Sequence, residues 1–510
     1  MLRETGKKIY IAGIAGILLV SFFLRIYDLN NNPPGFFADE AAIGYNAYKI
    51  LQTGKDGYGI PLPIFFRSFG DYRLPLPIYL NIPTIFFLGL KEEAVRLTAI
   101  IFSLISILFI SLTITKIWNK TAGLVGGLIL AILPWHIHLS RWGSEYIYFP
   151  ALLSIGFYYL VSGFKKSSHL IIAFIFFSLA MYTYYPSLFI TPLFVFGSLI
   201  LWIIRKKLKK LKYLILSIFL FFILCFPLYL GYKNGSLMTR WYSVNNPKIT
   251  LKEKIVDFKK FYLSHFSLDF LFLKGDLGMP GHFITRHSVE NIGELYAFQL
   301  PLIIIGIIMS LMNLSNFGIV LMIWLLFLYP IGSAITSDGI LATRSIIGII
   351  PLTFFSALGL ERIIRFIKGV SIRIIRIILY LIITTVILFS FIHYGLLFYR
   401  EYPKYSADFW GWQYGPREII SYFKIQTKNY DELYMTGYFN APEIFLKFYD
   451  PERKCRNCFI GGVDKYNSNK KQLFAIRMEE LEDVKSNYKI KNIIYYPNRE
   501  KAFYIIELSS

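Results

Sequence analysis

Apolar runs of about 17–25 residues recur eleven times along this 510-residue chain, at roughly 9–27, 94–115, 121–139, 147–163, 169–185, 187–204, 213–231, 298–314, 317–333, 346–361 and 375–396. Each has the length of a helix that crosses a hydrocarbon layer about 30 Å thick. Inside lipid a segment must satisfy its own backbone N–H and C=O groups, so runs of this kind are helices. The sequence therefore describes an all-α polytopic membrane protein with about 11 transmembrane helices. Composition agrees, because 55 % hydrophobic residues against 17 % charged and a mean hydropathy of +0.50 leave more apolar surface than a water-soluble core can hide.

A net charge of +22 would point to nucleic acid in a soluble protein, but here the Lys and Arg fall in short clusters between the apolar runs. With the amino terminus in the cytoplasm, Arg3/Lys7/Lys8, Lys116/Lys120, Lys165/Lys166, "RKKLKKLK" at 205–212 and "ERIIRFIKGVSIRIIR" at 361–376 all lie inside. That is the positive-inside pattern of a multi-pass plasma-membrane protein, and it removes nucleic acid as a partner. The opening run is followed by no small-x-small cleavage site, so it is expected to stay as an uncleaved first helix.

The same count places two long loops outside, 28–93 and 232–297, together with the short segment 140–146 and the tail from 397. In the first loop, "DEAAIGYNAYKILQTG" spaces Ala41, Ile43, Ala47, Ile50 and Leu51 as an amphipathic helix stopped by Gly54. "LPLPIYLNIPTIFFLGL" carries three prolines and reads as an interfacial or re-entrant segment. The tail alternates strand, turn and helix patterns, which predicts a small α/β extracytoplasmic domain at 397–510 behind a membrane domain at 1–396. Of three cysteines, Cys225 sits in an apolar run as packing. Cys455 and Cys458 form a lone C-x-x-C, better suited to a short disulfide or two free thiols than to a metal.

Against this apolar background the external acidic residues stand out. Asp39 and Glu40 open the amphipathic helix, where capping and the helix dipole would explain them. Yet Glu145 begins the fourth span, at a depth where an unpaired carboxylate costs roughly 2.5–3.5 kcal/mol. Asp71 and Arg73 come from the first loop, and Asp269, Asp276, His265, His282, Arg286 and His287 from the second. Carboxylates can take a proton from an attacking hydroxyl, and aromatic faces stack on sugar rings, so a cavity lined by both suits sugar chemistry. His136 and His138, at i and i+2, do not share a helix face and are expected to pack rather than to hold a metal.

Four segments carry a family resemblance over about residues 10–400. They are "PPGFFADEAAIGYNAYKILQTGKDGYGIPLPIFFRSFGDYRLPLPIYL", "KEEAVRLTAI", "PWHIHLSRWGSEY" and "TRSIIGIIPLTFFSALGLERI". Together they resemble the integral-membrane glycosyltransferases of the GT-C fold, in the bacterial branch related to protein O-mannosyltransferases and to the aminoarabinose transferase of lipid A. The resemblance implies that Asp39 is the catalytic base with Glu40 beside it. It also implies that Glu145 takes the place of a second carboxylate, usually Asp, that binds a divalent metal or orients the donor phosphate. Arg286 and Arg344 would hold a lipid-linked phosphate, and Asp71, Arg73 and His287 complete the candidate donor site.

The implied reaction moves a sugar from a polyprenyl-phosphate donor, among membrane lipids, to an acceptor hydroxyl on a protein, lipid or glycan outside the cell. A divalent metal is the only cofactor this calls for. No P-loop or Rossmann glycine motif appears, so no nucleotide cofactor is expected. The alternative is a transporter or flippase of a lipid-linked saccharide, which would place ionisable groups or broken helices mid-membrane in two corresponding halves. Here the carboxylates gather on one side and no half-repeat is visible.

Overall fold

The computed structural model describes residues 2–205, 211–245, 250–482, 484 and 487–509, so most of the basic cluster expected at 205–212 lies outside the described residues. Every one of the eleven apolar runs falls on a helix. Among the described residues seven helices are long and apolar enough to cross a membrane, from Gly6–Ile26 to Arg373–Tyr405, and the bent pair Lys120–Ile132 and Pro134–Ser140 makes an eighth. The remaining three, Tyr148–Gly163, His169–Ala180 and Gln299–Leu311, are apolar but only 16, 12 and 13 residues long. Length and composition thus support seven or eight spans where eleven were expected.

Local chemistry sets two of these helix ends. Pro134 opens the second piece of the bent pair at a 58° break, since proline has no N–H to continue a helix. His169–Ala180 stops before "MYTYYPS", and the turn at 181–186 is held by the Leu76 N–H on the Tyr182 carbonyl and by the Tyr185 hydroxyl on the Tyr72 carbonyl. The expected continuation of that span is therefore spent on carrying Tyr184 and Tyr185 to the end of the bundle where the first loop folds.

Hydropathy does not mark the centre of the bundle, since the rim helix at Arg373–Tyr405 is more apolar than the central Ile346–Lys368; exposure does. Ile346–Glu361 is buried throughout, while in Arg373–Leu396 only Tyr394 is, leaving Ile374, Leu381 and Phe389 outward. A rim that apolar belongs in lipid. Gln299–Leu311 crosses Ile349–Lys368 at two reciprocal glycines. A Cβ on Gly306 would strike the Phe355 carbonyl, and one on Gly359 the Leu302 carbonyl, so small residues let the two backbones touch.

The first loop folds as its pattern requires. Ala38–Thr53 is a helix whose Glu40 side chain accepts from the Phe37 N–H, and Gly54 ends it in the left-handed region at φ +69°. A hairpin follows, β1 (Phe66–Ser68) against β2 (Asp71–Arg73), and then Leu76–Leu88, a 13-residue helix with Pro83 inside it.

The tail holds β3 (Glu432–Met435), β4 (Cys458–Ile460), β5 (Gln472–Arg477), β6 (Asn487–Tyr495) and β7 (Lys501–Ser509) in the order β4-β3-β5-β7-β6. β3 runs parallel to β4 and β5, while β7 is antiparallel to β5 and β6. Cys455 and Cys458 form a disulfide. The tail does not stand apart from the membrane part. Ile419, Phe423, Phe445 and Phe448 share one core with Ala41, Ile43 and Ala47 of the Ala38–Thr53 helix, called the interfacial helix below, and with Val95. The last membrane helix also runs on through a π-turn at Leu397–Glu401 to Tyr405, past the expected boundary at 396.

Candidate active site

Two adjacent carboxylates on one helix turn meet different fates because successive helical positions point about 100° apart. Asp39 stays partly exposed, and its Oδ1 accepts from Arg73 at 2.6 Å. Glu40 turns inward and is fully buried. Its Oε1 accepts from the Gly143 N–H at 2.8 Å and from Arg96 Nε at 3.2 Å, and its Oε2 from the Phe37 N–H at 3.1 Å. Arg96, also buried, reaches the carbonyls of Leu29, Pro33 and Gly35 as well. Glu40 therefore ties the loop entry to the second span and does not share the cleft with Asp39.

Arg73 organises the cleft. One guanidinium nitrogen holds Asp39, the other Glu145 Oε2 at 2.8 Å, and its Nε donates to Ser68 Oγ at 3.0 Å. The three side chains are 12–16 % exposed, so water reaches them without dispersing the charges. Burial opposes the charge on Arg73, but Asp39 and Glu145 outweigh it and hold the guanidinium firmly protonated. One position before Tyr72, Asp71 accepts from Arg240 at 2.8 Å. Burial pushes its carboxyl above the usual range despite Arg73 and Arg240.

The expected metal does not fit this arrangement. Glu145 accepts from Arg73 and from Ser144 Oγ, and the guanidinium already bridges the two carboxylates that a cation would join. Among the described residues no group of three or more His, Cys, Asp and Glu could hold a metal ion.

Beside the cluster opens a largely apolar cavity of about 380 Å³, walled by Met181, Phe189, Leu228 and Trp241 and carrying Arg240 and Arg344. Tyr184 and Tyr185 line it and also the narrow cleft that contains Arg73 and Glu145. Arg344 is aimed by Thr336 Oγ1 and Asp338, each at 2.5 Å. A hydrophobic chamber with two guanidinium groups near a carboxylate cluster can take a lipid tail, hold an anionic head group and present a base to it.

Other expected site residues lie elsewhere. Arg286 stacks over Phe37 with its guanidinium carbon 3.9 Å from the ring centre and donates to the Trp410 carbonyl at 2.5 Å. It adjoins Asp39 without lining the cavity, and burial lowers its pKa against Tyr146 and Asp39. His287 is buried with Nδ1 3.6 Å from Asp276 Oδ2, and burial pushes its pKa down to about 3. Asp276 is instead satisfied by His282 at 2.6 Å and the Ala342 N–H at 2.7 Å. Asp269 forms an exposed pair with Lys274. His136 bridges Arg25 and Ser106, and His138 bonds the Arg286 carbonyl, which is the packing role expected of both.

Sequence reading missed Arg96, Arg240 and the tyrosine turn. Arg96 could have been found as a lone cation inside an apolar span. Arg240, in "SLMTRWYS", carries no local signal; only the fold brings it to Asp71.

Residues 77–230 match the family described as dolichyl-phosphate-mannose-protein mannosyltransferase, a segment that begins after Asp39 and includes Glu145. No curated protein sequence matches the chain. Among solved structures, ArnT from Cupriavidus metallidurans in the apo state is similar at a TM-score of 0.57 and 11 % identity, over 99 % of this chain and 98 % of that one. The same enzyme bound to undecaprenyl phosphate gives 0.54 and 11 %, over 98 % and 97 %. The archaeal oligosaccharyltransferase AglB from Archaeoglobus fulgidus, in complex with an inhibitory peptide and a dolichol-phosphate, gives 0.55 and 11 %, over 89 % of this chain and 64 % of that one. The chain thus spans under two thirds of the archaeal enzyme and nearly all of ArnT. At such identities the likeness is one of fold.

Proposed function

From the premise that this chain has the GT-C fold of integral-membrane glycosyltransferases, we propose that it moves a sugar from a polyprenyl-phosphate donor to an acceptor hydroxyl on the extracytoplasmic face. The observation that carries this reading is the apolar cavity holding Arg240 and Arg344, joined through Tyr184 and Tyr185 to the Asp39–Arg73–Glu145 cluster. The lipid tail would occupy the cavity and its phosphate would meet the two arginines. The disulfide in the tail fits an oxidising exterior, and lipid-linked sugars are the activated donors that a membrane face without nucleotide sugars requires.

In the reaction, Asp39 accepts the proton of the acceptor hydroxyl as its oxygen attacks the anomeric carbon. The new C–O bond forms with inversion. The bond from that carbon to the phosphate oxygen breaks, and polyprenyl phosphate leaves with the electron pair, its charge met by Arg344 and Arg240. Arg73 aims the Asp39 carboxylate and supplies the positive charge between it and Glu145.

The test is transfer of radiolabelled sugar from a panel of polyprenyl-phosphate sugars to a membrane extract, with native protein and Asp39→Asn, each with and without chelator. Transfer by the native protein alone, unchanged by chelator, is expected. Full activity of a folded Asp39→Asn protein would refute the base. Loss on chelation, restored by added cation, would refute the role given to Arg73.

A further inference from the structure

The face of the interfacial helix that carries Asp39 continues away from the lipid cavity. Ala42 and Asn46, three and seven residues on, lie on the same helix face and line a second cavity of about 260 Å³. Ser68 lines it too, and its hydroxyl accepts from the Arg73 that holds Asp39. This cavity adjoins a third of about 590 Å³, because Tyr45 and Lys447 wall both. The two form one groove along the seam between the first loop and the tail, running from Ser68, which Arg73 bonds, to the disulfide loop at Cys455 and Cys458.

Its lining is aromatic and unevenly charged. The Tyr58 ring is flanked by Arg67 at 6.0 Å and Lys447 at 5.9 Å. Among the described residues Arg67, Lys447, Arg453 and Arg456 pair with no carboxylate, whereas Glu452 is held by Lys454 and Asp450 by Lys424 and two backbone N–H groups. Glu443 alone remains as an unpaired acid in the groove. The surplus is positive, and the ring faces are those that hydroxyl-rich rings use.

We infer that this groove binds an anionic oligosaccharide and delivers one of its hydroxyl groups to Asp39 as the acceptor. The inference rests on the transfer reading above. Donor and acceptor then approach the cluster from opposite sides, with the lipid phosphate on the apolar side and the acidic glycan on the polar one. A groove of this extent takes several sugar units, which favours a polymer over a monosaccharide.

The full-length protein in detergent is titrated with tetragalacturonate, with neutral maltotetraose and with tetraglutamate, alongside separate titration with undecaprenyl phosphate. Tetragalacturonate is expected to bind about tenfold tighter than either control, and Lys447→Glu and Tyr58→Ala are each expected to weaken it about tenfold while leaving undecaprenyl phosphate binding unchanged. That unchanged binding certifies that the variants are folded. Equal or tighter binding of tetraglutamate would assign the groove to acidic peptides and overturn the inference, as would binding indifferent to both substitutions or no oligosaccharide binding. Failure of the native protein to bind undecaprenyl phosphate would refute the donor reading instead.

Discussion

Asp39 and Glu40 are neighbours in sequence, and their removal should have opposite consequences. Take Glu40→Gln. Two donors, the Gly143 N–H and Arg96 Nε, aim at one Glu40 oxygen, and a third, the Phe37 N–H, aims at the other. A glutamine must present its NH₂ to one side or the other, so at least one buried donor faces a donor, at a cost of about 1–3 kcal/mol. The buried Arg96 charge also loses its nearer partner and keeps only Glu92 at 4.0 Å, and breaking one member of such a pair costs about 3–5 kcal/mol in all. With an unfolding entropy of about 2.1 cal/mol/K per residue, a 510-residue chain unfolding as a unit has about 1.1 kcal/mol/K, so the melting temperature should fall by about 3–5 °C. Trp142 and Trp412 pack together, with Trp412 beside Arg96, so intrinsic fluorescence during a thermal ramp in detergent reads the change directly. Asp39→Asn touches a partly exposed pair worth at most about 1 kcal/mol. It should melt within about 1 °C of the native protein yet lose transfer by about 10²–10⁴-fold. A Glu40→Gln protein that melts like the native one while losing transfer would refute this division of labour.

Arg344→Gln removes the charge-assisted contact proposed for the lipid phosphate and should weaken undecaprenyl phosphate binding by about tenfold or more, measured by titration in detergent. Gly359→Val pushes a side chain into the Leu302 carbonyl and should cost about 1–3 kcal/mol, read as a lower melting temperature with no change in binding per folded molecule. His287 and His282 should give opposite pH limbs. Burial lowers the pKa of His287 from 6.5 to about 3, so its unfolded form binds a proton first and stability falls as pH drops from 6.5 toward 3, by up to about 1.4 kcal/mol per unit. For His282, burial opposes the charge, but the bond to Asp276 outweighs it and raises the pKa above 6.5. Its contribution is full below 6.5 and is lost as pH rises through the folded value. Melting curves across pH should flatten on the acid side in His287→Asn and on the alkaline side in His282→Asn; the reverse assignment would refute the geometry.

Much of this was legible in the residues. Apolar runs and Gly54 set the helices of the bundle and of the first loop, because hydrophobic length and a left-handed stop are local properties. The pairing of Asp39 with Arg73 and Glu145 could be guessed only as proximity on one membrane face, since the contact joins residues 34 and 72 positions apart from Arg73. What the residues concealed was direction: Asp39 and Glu40 look equivalent on paper, and only the position of Arg96 makes one a structural tie. Helix ends were hidden for a related reason. Hydropathy records apolar character, whereas Pro134 and the turn at 181–186 decide where an apolar run stops being a helix.

Gly44 is where the tail's Phe448 ring meets the interfacial helix, with Val95 pressed against the same point. Neither the tail nor the helix bearing Asp39 has a surface of its own there. A tail exchanged between relatives would leave Ala41, Ile43 and Ala47 facing a foreign partner unless Ala38–Thr53 travelled with it. The chain should thus change its acceptor by replacing these two pieces jointly, and a chimaera cut at the end of the last membrane helix should lose the acidic residue's placement along with the acceptor it was meant to gain.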